Sequence, residues 1–317
     1  MKFGIHSFKE AGFDIVALQD LETGTQVEII PAFGALLHAF KVKQNGETLN
    51  LIDSYKDLSD LESNLRSSFK SVKLSPYACR MKDGKYTWEG KSYSIQKTLA
   101  PGNAIHGLLY DVPFTVTAQQ ANDQEASVTL SHLFKQTDDA GYPFAYECVA
   151  TFSLLPGNEL KISTTLVNQS NSTIPVMDGW HPYFSTGTPV DELELKFASK
   201  EIVEFDEKLL PTGKVLPYTN FVTGKNLAGV ELDNSFVLDQ QQQQPQASIF
   251  DPKKNIRIAF YPENSYPILQ IYIPPHRTSI AVENLSGAPD AFNNGLGLVK
   301  LAAGESKTFS TRYKITL

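Results

Sequence analysis

Apolar and polar residues alternate along several segments of the chain. Every second position is mostly apolar, with exceptions such as Thr164 and His132, in residues 159–168 (ELKISTTLVN), 126–134 (ASVTLSHLF) and 255–261 (NIRIAFY). Because successive side chains of a strand point to opposite faces of a sheet, this period predicts half-buried β-strands. Residues 267–275 (PILQIYIPP) are apolar on both faces, which predicts a central and buried strand.

Turn signals separate these segments, and helical patterns are scarce. Residues 82–97 (KDGKYTWEGKSYSIQK) predict a hairpin, and residues 55–69 predict a helix with leucines at 58, 61 and 65 that covers one end of the sheet structure. The turn signals are DG at 83–84, EG at 89–90, PG at 101–102 and 156–157, SG at 286–287 and NNG at 293–295.

The chain shows no internal repeat and no linker that would divide it. The glutamine-rich run 240–246 (QQQQQPQ) has strand patterns on both sides, so it is interpreted as a solvated loop. We therefore predict that residues 1–317 form a single all-β domain, a large and mostly antiparallel β-sandwich with few short helices.

Composition excludes several classes of protein. With 317 residues, 41% hydrophobic, and a net charge of −7, the chain can build a large core and lacks the basic surface of a nucleic-acid binder. The segment MKFGIHSFKEAGFD has no signal-peptide pattern, and no apolar run approaches the roughly 20 residues that span a bilayer. We expect a soluble, cytoplasmic protein that binds neither nucleic acid nor membrane. The two cysteines, Cys79 and Cys148, fit buried reduced thiols, not a disulfide framework or a metal motif.

Two of the six histidines stand in unusual surroundings. His106 lies in NAIHG directly before Gly107, where glycine allows close approach of a ligand to the backbone. His181 lies in DGWHPYF, and Pro182 favours an extended conformation for it, which fixes the direction of the imidazole. Taken alone, each motif fits a site or a packed core equally well. Structural roles are expected for His6, His38, His132 and His276.

Three charged residues are further candidates. Glu283 ends the apolar strand 280–282 and precedes a loop rich in Gly, Pro and Asn, a position where catalytic groups are often mounted. Asp233, in LDNSF, precedes another apolar strand, although an Asx-turn explains it equally well. Arg80 closes an extended segment before a DG turn, and its guanidinium suits fixed hydrogen bonds to oxygen atoms.

In their order along the chain, these motifs resemble those of the aldose 1-epimerase (galactose mutarotase) family. The matching segments are 79–107, 178–184 (DGWHPYF), 232–238 (LDNSFVL) and 280–315. The combination of N-x-x-H-G, H-P-Y-F and the glutamate strand with its Pro-Asp-Ala loop is more specific than any single motif. The resemblance implies a β-sandwich of the galactose-mutarotase type with a sugar cleft, and interconversion of the α and β anomers of a free aldose.

The resemblance also implies roles for individual residues. It assigns His181 as the general acid and Glu283 as the general base, and it makes Arg80, His106 and Asp233 sugar-binding residues. Further substrate-binding candidates come from the same motifs: Asn103, Trp180 and Tyr183. Trp180 or Tyr183 is expected to form an apolar wall, with a core position as the alternative for Trp180, since only one side of a strand faces a cleft. The implied reaction requires no metal or organic cofactor, and the oligomeric state is left open.

The chemistry agrees with these residue types. Anomer exchange removes a proton from the C1 hydroxyl and gives one to the ring oxygen; the ring opens, the C1–C2 bond rotates and the ring closes again. One acid and one base are sufficient. A protonated His181 and an ionised Glu283 are expected, because each charge supports the other.

Departures from the family pattern leave other functions to consider. Ser185 follows H-P-Y-F where the family often has Asn, and residues 55–75 match poorly. A hexose-6-phosphate 1-epimerase would need a cation cluster for the phosphate, and Arg66, Lys70 and Lys73 either provide it or form a solvated face. A non-catalytic carbohydrate-binding protein would not need the matched acid and base. Two tryptophans give little support to a polysaccharide-cleaving enzyme with a long aromatic groove.

Overall fold

The fold is built almost entirely from β-strands. The structure, a computed structural model, describes residues 1–99 and 102–317. The first fourteen strands in these ranges are β1 Phe3–Glu10, β2 Phe13–Asp20, β3 Gln26–Ile30, β4 Leu36–Gln44, β5 Glu47–Asn50, β6 Lys73–Leu74, β7 Arg80–Met81, β8 Lys85–Trp88, β9 Lys91–Ser94, β10 Ala104–Ile105, β11 Thr115–Ala121, β12 Ala126–Phe134, β13 Tyr146–Leu155 and β14 Glu159–Asn168.

The remaining strands lie in the second half of the chain. They are β15 Ile174–Val176, β16 Gly179–Trp180, β17 Tyr183–Phe184, β18 Glu194–Phe197, β19 Ser199–Phe205, β20 Pro211–Pro217, β21 Lys225–Asn226, β22 Asp233–Leu238, β23 Ala247–Asp251, β24 Ile256–Pro262, β25 Ile268–Tyr272, β26 Ile280–Leu285, β27 Val299–Leu301 and β28 Ser306–Thr316. The helices are α1 Leu58–Ser68 and α2 Ala291–Asn294, with 3₁₀ turns at Lys82–Gly84 and Val190–Glu192.

Three antiparallel sheets contain most of these strands. The first has the order β1-β2-β3-β4-β5, and the second has the nine-stranded order β11-β12-β13-β14-β28-β24-β23-β18-β21. The third is eight-stranded, with the order β20-β19-β22-β25-β26-β16-β6 and with β17 also paired to β26. The all-β, antiparallel prediction is therefore confirmed.

The nine-stranded and eight-stranded sheets pack face to face. Phe152 of β13 meets Trp180 of β16 with ring centroids 5.3 Å apart, and Phe184 of β17 meets Phe260 of β24 at 5.0 Å. The Trp180 indole Nε1 donates to Thr164 Oγ1 of β14 at 3.2 Å, so the buried polar atom is satisfied. The core of the sandwich lies between these two sheets.

The N-terminal sheet is joined to both layers. The backbone N–H of Phe3 donates to the carbonyl of Asn122, next to β11 of the nine-stranded sheet, at 3.1 Å. Ile52 forms an isolated β-bridge with Phe184 of β17, at the eight-stranded sheet. Apolar residues of all three sheets belong to one buried cluster.

Element predictions from periodicity agree closely with the structure. Strands β12 and β14 coincide with the predicted segments 126–134 and 159–168, and β8 and β9 form the predicted hairpin around residues 89–90. Helix α1 lies inside the predicted segment 55–69 and is capped by Asp57, whose carboxylate accepts from the N–H of Asp60. The predicted turn at 101–102 includes Pro101, which lies outside the described residues. Within the described ranges, neither helix combines the length and the apolar character needed to cross a membrane.

Candidate active site

His181 and Glu283 face each other across two neighbouring strand segments. Strands β16 and β17 both pair with β26, and they keep one continuous register. His181 falls between them and therefore lies directly opposite Glu283. The His181 Nε2 atom is 3.5 Å from Glu283 Oε1, and the two residues are only 5% and 1% exposed. The predicted acid and base are thus brought together.

Two more strands extend this row of side chains. Gln270 of β25 lies in register beside Glu283, and Ser235 of β22 lies in register beside Gln270. The Gln270 amide accepts from the Ser235 hydroxyl, and its Nε2 donates to Asp233 Oδ1 at 2.8 Å. Gln270 therefore fixes the orientation of Asp233, the predicted sugar-binding carboxylate.

A second row runs beside the first, two residues along each strand. Asp233 pairs with Tyr272, Tyr272 with Ala281, and Ala281 with Tyr183. The Tyr183 ring stacks on the His181 ring at 5.0 Å with an interplanar angle of 20°. Tyr183 thus forms an aromatic wall beside the imidazole.

The opposite wall comes from earlier parts of the chain. Strands β7 and β10 pair, which places Arg80 near His106, and the backbone N–H of His106 donates to Cys79 O at 3.0 Å. The His106 ring meets the His181 ring edge-on at 4.8 Å and lies 4.6 Å from the Phe69 ring at the end of α1. Helix α1 therefore borders the cleft. The sequence had predicted only that it covers one end of the sheet structure.

Gly107 serves a purpose that the sequence did not predict. Its φ is +80°, and a Cβ there would lie 2.3 Å from Ser75 O. The glycine is thus needed for the His106 loop to meet the backbone at Ser75, with which it forms a parallel bridge. The close approach that the structure shows at Gly107 is to another backbone segment.

These walls enclose a cleft of about 240 Å³. This volume lies just below the roughly 300–1,000 Å³ of pockets for drug-sized ligands, so it suits a small molecule. Six of the eight predicted site residues line it: Arg80, His106, His181, Tyr183, Asp233 and Glu283. The four histidines expected to be structural lie elsewhere.

The other two predicted residues are not brought to the cleft. Trp180 points into the sandwich, because neighbouring side chains of a strand face opposite ways and His181 occupies the cleft side. The core alternative for Trp180 is the one it adopts. The Asn103 Oδ1 atom accepts from the backbone N–H of Asp83 at 3.0 Å, so this side chain holds the loop that follows Arg80.

Several cleft residues were missed by the sequence analysis: Phe69, Cys79, Gln270 and Tyr272. Gln270 carried a usable signal, because it is the single polar residue inside the apolar strand PILQIY. A polar side chain in such a run is buried, and buried polar side chains are rare unless they are paired or functional. The other three carried no signal, since aromatic residues and cysteine are also ordinary core residues.

Comparison with known proteins agrees with this site. The profile of the family described as "Aldose 1-epimerase" matches residues 16–314. The chain belongs to the aldose 1-epimerase family. Membership places it among the isomerases that act on carbohydrates.

Relatives of this aldose 1-epimerase family member are distant in sequence but similar in fold. The chain is 26% identical over 266 residues to the maltose epimerase of Levilactobacillus brevis, covering 77% of this chain and 75% of that protein. A galactose mutarotase-like protein from Clostridium acetobutylicum superposes with a TM-score of 0.88 at 20% identity, over 99% of both chains. The galactose 1-epimerase of Lactobacillus acidophilus gives a TM-score of 0.83 at 19% identity, over 100% of this chain and 99% of that one.

Burial shifts the pKa of both His181 and Glu283 in this family member. Burial lowers the pKa of His181 to about 4. Burial, followed by the nearby charge of Asp233, raises the pKa of Glu283 well above its ordinary value. Both shifts favour an uncharged imidazole beside a carboxylic acid, and not the imidazolium beside carboxylate expected from the residue types. The two forms contain the same single proton.

Three polar atoms of the cleft residues make no hydrogen bond within the described part of the chain. His106 Nδ1, His181 Nδ1 and Glu283 Oε2 are buried and have no hydrogen-bond partner within the described residues. Burial, then the charges of His181 and Arg80, lower the pKa of His106 well below its ordinary value. Since buried polar atoms are normally paired, these three point to a polar ligand such as a sugar.

The same cleft offers one set of metal-ligand types. Cys79, His106 and Glu283 each provide a donor atom, and these three atoms lie within 4.8 Å of one another. Sulfur, nitrogen and oxygen donors of this kind bind zinc. A cation there would occupy the Glu283 carboxylate, so its binding would compete with the role of Glu283 as a base.

The cations considered for a phosphate are largely engaged elsewhere. Lys70 pairs with Asp53 at 2.7 Å, and Lys73 pairs with Asp178 at 2.7 Å inside the sandwich. Of the three, Arg66 alone lines the cleft. Because Lys73 is enclosed in the sandwich, it belongs neither to a phosphate-binding cluster nor to a solvated face.

Proposed function

We propose that this protein is an aldose 1-epimerase that interconverts the α and β anomers of a free hexose, with His181 and Glu283 transferring the protons. The observation that carries this proposal is the 3.5 Å separation of His181 Nε2 and Glu283 Oε1 at one wall of a small cleft. The hydroxyl oxygen and the ring oxygen of the sugar are both bonded to C1. An acid and a base must therefore reach one small region, and this pair can do so from the same side.

The reaction moves one proton off the sugar and one onto it. Glu283, as carboxylate, takes the proton of the C1 hydroxyl, and His181, as imidazolium, gives a proton to the ring oxygen. The C1–O5 bond breaks and leaves an aldehyde at C1. After rotation about C1–C2, the O5 hydroxyl adds to the other face of the carbonyl. His181, now neutral, takes back the O5 proton, and Glu283, now protonated, returns its proton to the C1 oxygen. This charged form of the pair arises from the uncharged one by moving the shared proton from Glu283 to His181.

The remaining cleft residues hold the sugar while C1 turns. Arg80 offers several fixed donors to hydroxyl oxygens, and Asp233, oriented by Gln270, accepts from hydroxyl groups. His106 Nδ1 is a buried polar atom without a partner within the described residues, and a sugar hydroxyl would satisfy it. Fixed hydrogen bonds of this kind keep C1 near the acid and the base through ring opening.

Polarimetry on freshly dissolved α-D-glucose, α-D-galactose and maltose tests the proposal. Maltose is included because one relative carries the name maltose epimerase. We expect the protein to accelerate the approach to anomeric equilibrium for at least one of these sugars. Glu283→Gln and His181→Asn should each lower kcat/KM by about 10²- to 10⁴-fold, the usual contribution of one general acid or base.

His276→Asn is the matched control, because this exposed histidine contacts Thr278 and lies outside the cleft. It should retain full activity. An unchanged decay rate with all three sugars would contradict the proposed function. Full activity of either catalytic variant would contradict the role given to that residue.

Glucose 6-phosphate separates the phosphorylated-sugar alternative. The cleft is lined by the carboxyl groups of Glu283 and Asp233 as well as by Arg66 and Arg80. Lys70 and Lys73 are engaged with other acids, so Arg66 alone remains of the cations considered for a phosphate, and a neutral sugar is favoured. Activity confined to glucose 6-phosphate would favour the alternative. A protein that binds sugar without turnover would be the non-catalytic carbohydrate-binding protein.

Location and domain organisation complete the proposal. An enzyme that exchanges anomers of free sugars serves carbohydrate metabolism, and its two buried free cysteines agree with a reducing compartment such as the cytoplasm. Cell fractionation with an antibody to the protein tests this location. A single domain over residues 1–317 is supported by the shared buried cluster of the three sheets.

A further inference from the structure

A fully enclosed ion pair lies directly behind the catalytic residues. Lys73 of β6 and Asp178, which precedes β16, are both 0% exposed, and Lys73 Nζ is 2.7 Å from Asp178 Oδ1. The same Nζ donates to Gly179 O at 2.7 Å and lies 4.5 Å from the centre of the Trp180 ring. Enclosing two charges is costly, and replacing such a pair with apolar residues is often neutral or stabilising. Packing alone therefore does not account for it.

Asp178 ties the His181 segment to the Glu283 strand. Its backbone N–H donates to Ser286 Oγ, and its carbonyl accepts from the Ser286 N–H, both at 2.9 Å. Its second carboxylate oxygen accepts from the Tyr266 hydroxyl at 2.6 Å. Asp178 precedes His181 by three residues and Ser286 follows Glu283 by three, so this contact continues the pairing that sets the two catalytic residues opposite each other.

Lys73 belongs to the segment that holds His181 from the other side. The backbone N–H of His181 donates to Val72 O at 3.2 Å, and its carbonyl accepts from the Ser71 N–H at 2.8 Å. Strands β6 and β16 contain two residues each. So short a ladder fixes the register weakly, and a slip of one residue would turn His181 to the interior. The Lys73–Asp178 pair links the same two segments through their interior face.

We propose that Lys73 and Asp178 are positioning residues, which hold His181 in register with Glu283 from the interior face of the sheet. The inference rests on the proposed function, because it gives these residues a purpose in that reaction. They touch no substrate; they act through the backbone of residues 178–181. Setting a register is the best-attested use of a buried polar pair.

The double variant Lys73→Met/Asp178→Asn tests the proposal without leaving a lone buried charge. The asparagine keeps an acceptor for the Tyr266 hydroxyl. We expect kcat to fall about 10- to 100-fold, as for a small misplacement of a catalytic group, with a change in KM of no more than about threefold. By NMR, the imidazole of His181 should titrate closer to an ordinary histidine than in the wild type, because a displaced ring leaves its buried position.

Lys41→Met/Glu28→Gln is the matched control. This pair also contains a buried carboxylate, but it joins β3 and β4 of the N-terminal sheet, away from the cleft. We expect the control to lose stability while it keeps kcat and the His181 titration. Tyr266→Phe, which removes one hydrogen bond to Asp178 and keeps the ring, provides a milder variant should the double variant not fold. It should lower kcat in the same direction.

The outcomes separate the two proposals. A wild-type protein that accelerates no aldose would overturn the proposed function, while the His181 titration would still report on positioning. If the wild type is active and the double variant keeps both kcat and the His181 titration, the positioning proposal is wrong. A loss of kcat in the double variant no larger than in Lys41→Met/Glu28→Gln would also contradict it, since stability alone would then explain the loss. If the double variant does not fold, Tyr266→Phe with wild-type kcat and titration contradicts it equally.

Discussion

The pKa shifts of His181 and Glu283 favour a state in which the two residues share one proton. Burial disfavours the doubly protonated pair, which is cationic, and the fully deprotonated pair, which is anionic. Other titratable groups lie beside the pair: His106 and Tyr183 next to the imidazole, and Asp233, Cys79 and Tyr313 next to the carboxyl group. The single-proton pair is thus the form that the cleft favours, and in the proposed reaction anomer exchange would need no net proton from solvent.

At the scale of the residue, this sharing predicts the pH profile. A second proton must go to His181, and because burial lowers the pKa of His181 to about 4, the acid limb of kcat/KM lies below that of an ordinary histidine. Loss of the single proton that the pair shares is shifted to higher pH, because the pKa of Glu283 is raised. We therefore expect kcat/KM not to fall between pH 7 and about pH 5.5. Polarimetry corrected for the buffer rate measures this, and an acid limb with an ordinary histidine pKa would contradict it.

Residue identities could be predicted where a motif fixed them, and side-chain directions could not. His181 and Tyr183 share a face and Trp180 takes the other, which follows from strand alternation once one of them is placed. The sequence did not say which parity faces the cleft, because both faces of this segment are buried. The raised pKa of Glu283 could not be predicted from the sequence either, because segments distant along the chain bury its carboxyl group.

At the scale of the element, the loop at His106 depends on a backbone contact. Gly107 and Gly90 have nearly equal φ values, +80° and +78°, but a Cβ at Gly107 would meet Ser75 O at 2.3 Å, whereas one at Gly90 would meet nothing within 4 Å. Gly90→Ala should therefore cost only the left-handed strain, about 1–2 kcal/mol. Gly107→Ala adds a backbone clash, and we expect a loss of about 3 kcal/mol or more.

Urea unfolding of the two variants measures this difference. The loss of stability should appear as a lower urea midpoint with an unchanged m-value, because a changed m-value would indicate an altered denatured state. Gly107→Ala should also lower kcat/KM, because His106 precedes the displaced residue. Equal losses of stability in the two variants would show that the contact with Ser75 is not rigid.

Long elements could be predicted, and the shortest ones could not. Strands β12 and β14, of nine and ten residues, repeat their period often enough to be read from the sequence. Strands β6, β16 and β17 have two residues each and carry no period. These short strands hold His181, so the part of the fold that positions the site was the part without a local signal.

At the scale of the whole molecule, the three sheets share one buried cluster, and the two tryptophans sample different parts of it. Trp180 lies between the large sheets, whereas Trp88 lies in the β8–β9 hairpin, with its Nε1 donating to Thr173 O at 3.1 Å. A continuous core predicts that both regions unfold together, although the chain is longer than most two-state domains.

Two single-tryptophan variants test this continuity. Trp88→Phe leaves Trp180 as the only reporter, and Trp180→Phe leaves Trp88. Within each variant, the urea midpoint of the fluorescence should coincide with that of the far-UV circular dichroism, which averages over all three sheets. The comparison is internal to each variant, so a loss of stability from the substitution itself shifts both signals alike. An earlier fluorescence transition for Trp88, with circular dichroism lagging behind, would show that the hairpin and its neighbours form a separate unit. The single-domain prediction would then be wrong. The wall of the cleft that contains Arg80 belongs to the same part of the chain as this hairpin, so it could open without unfolding of the sandwich.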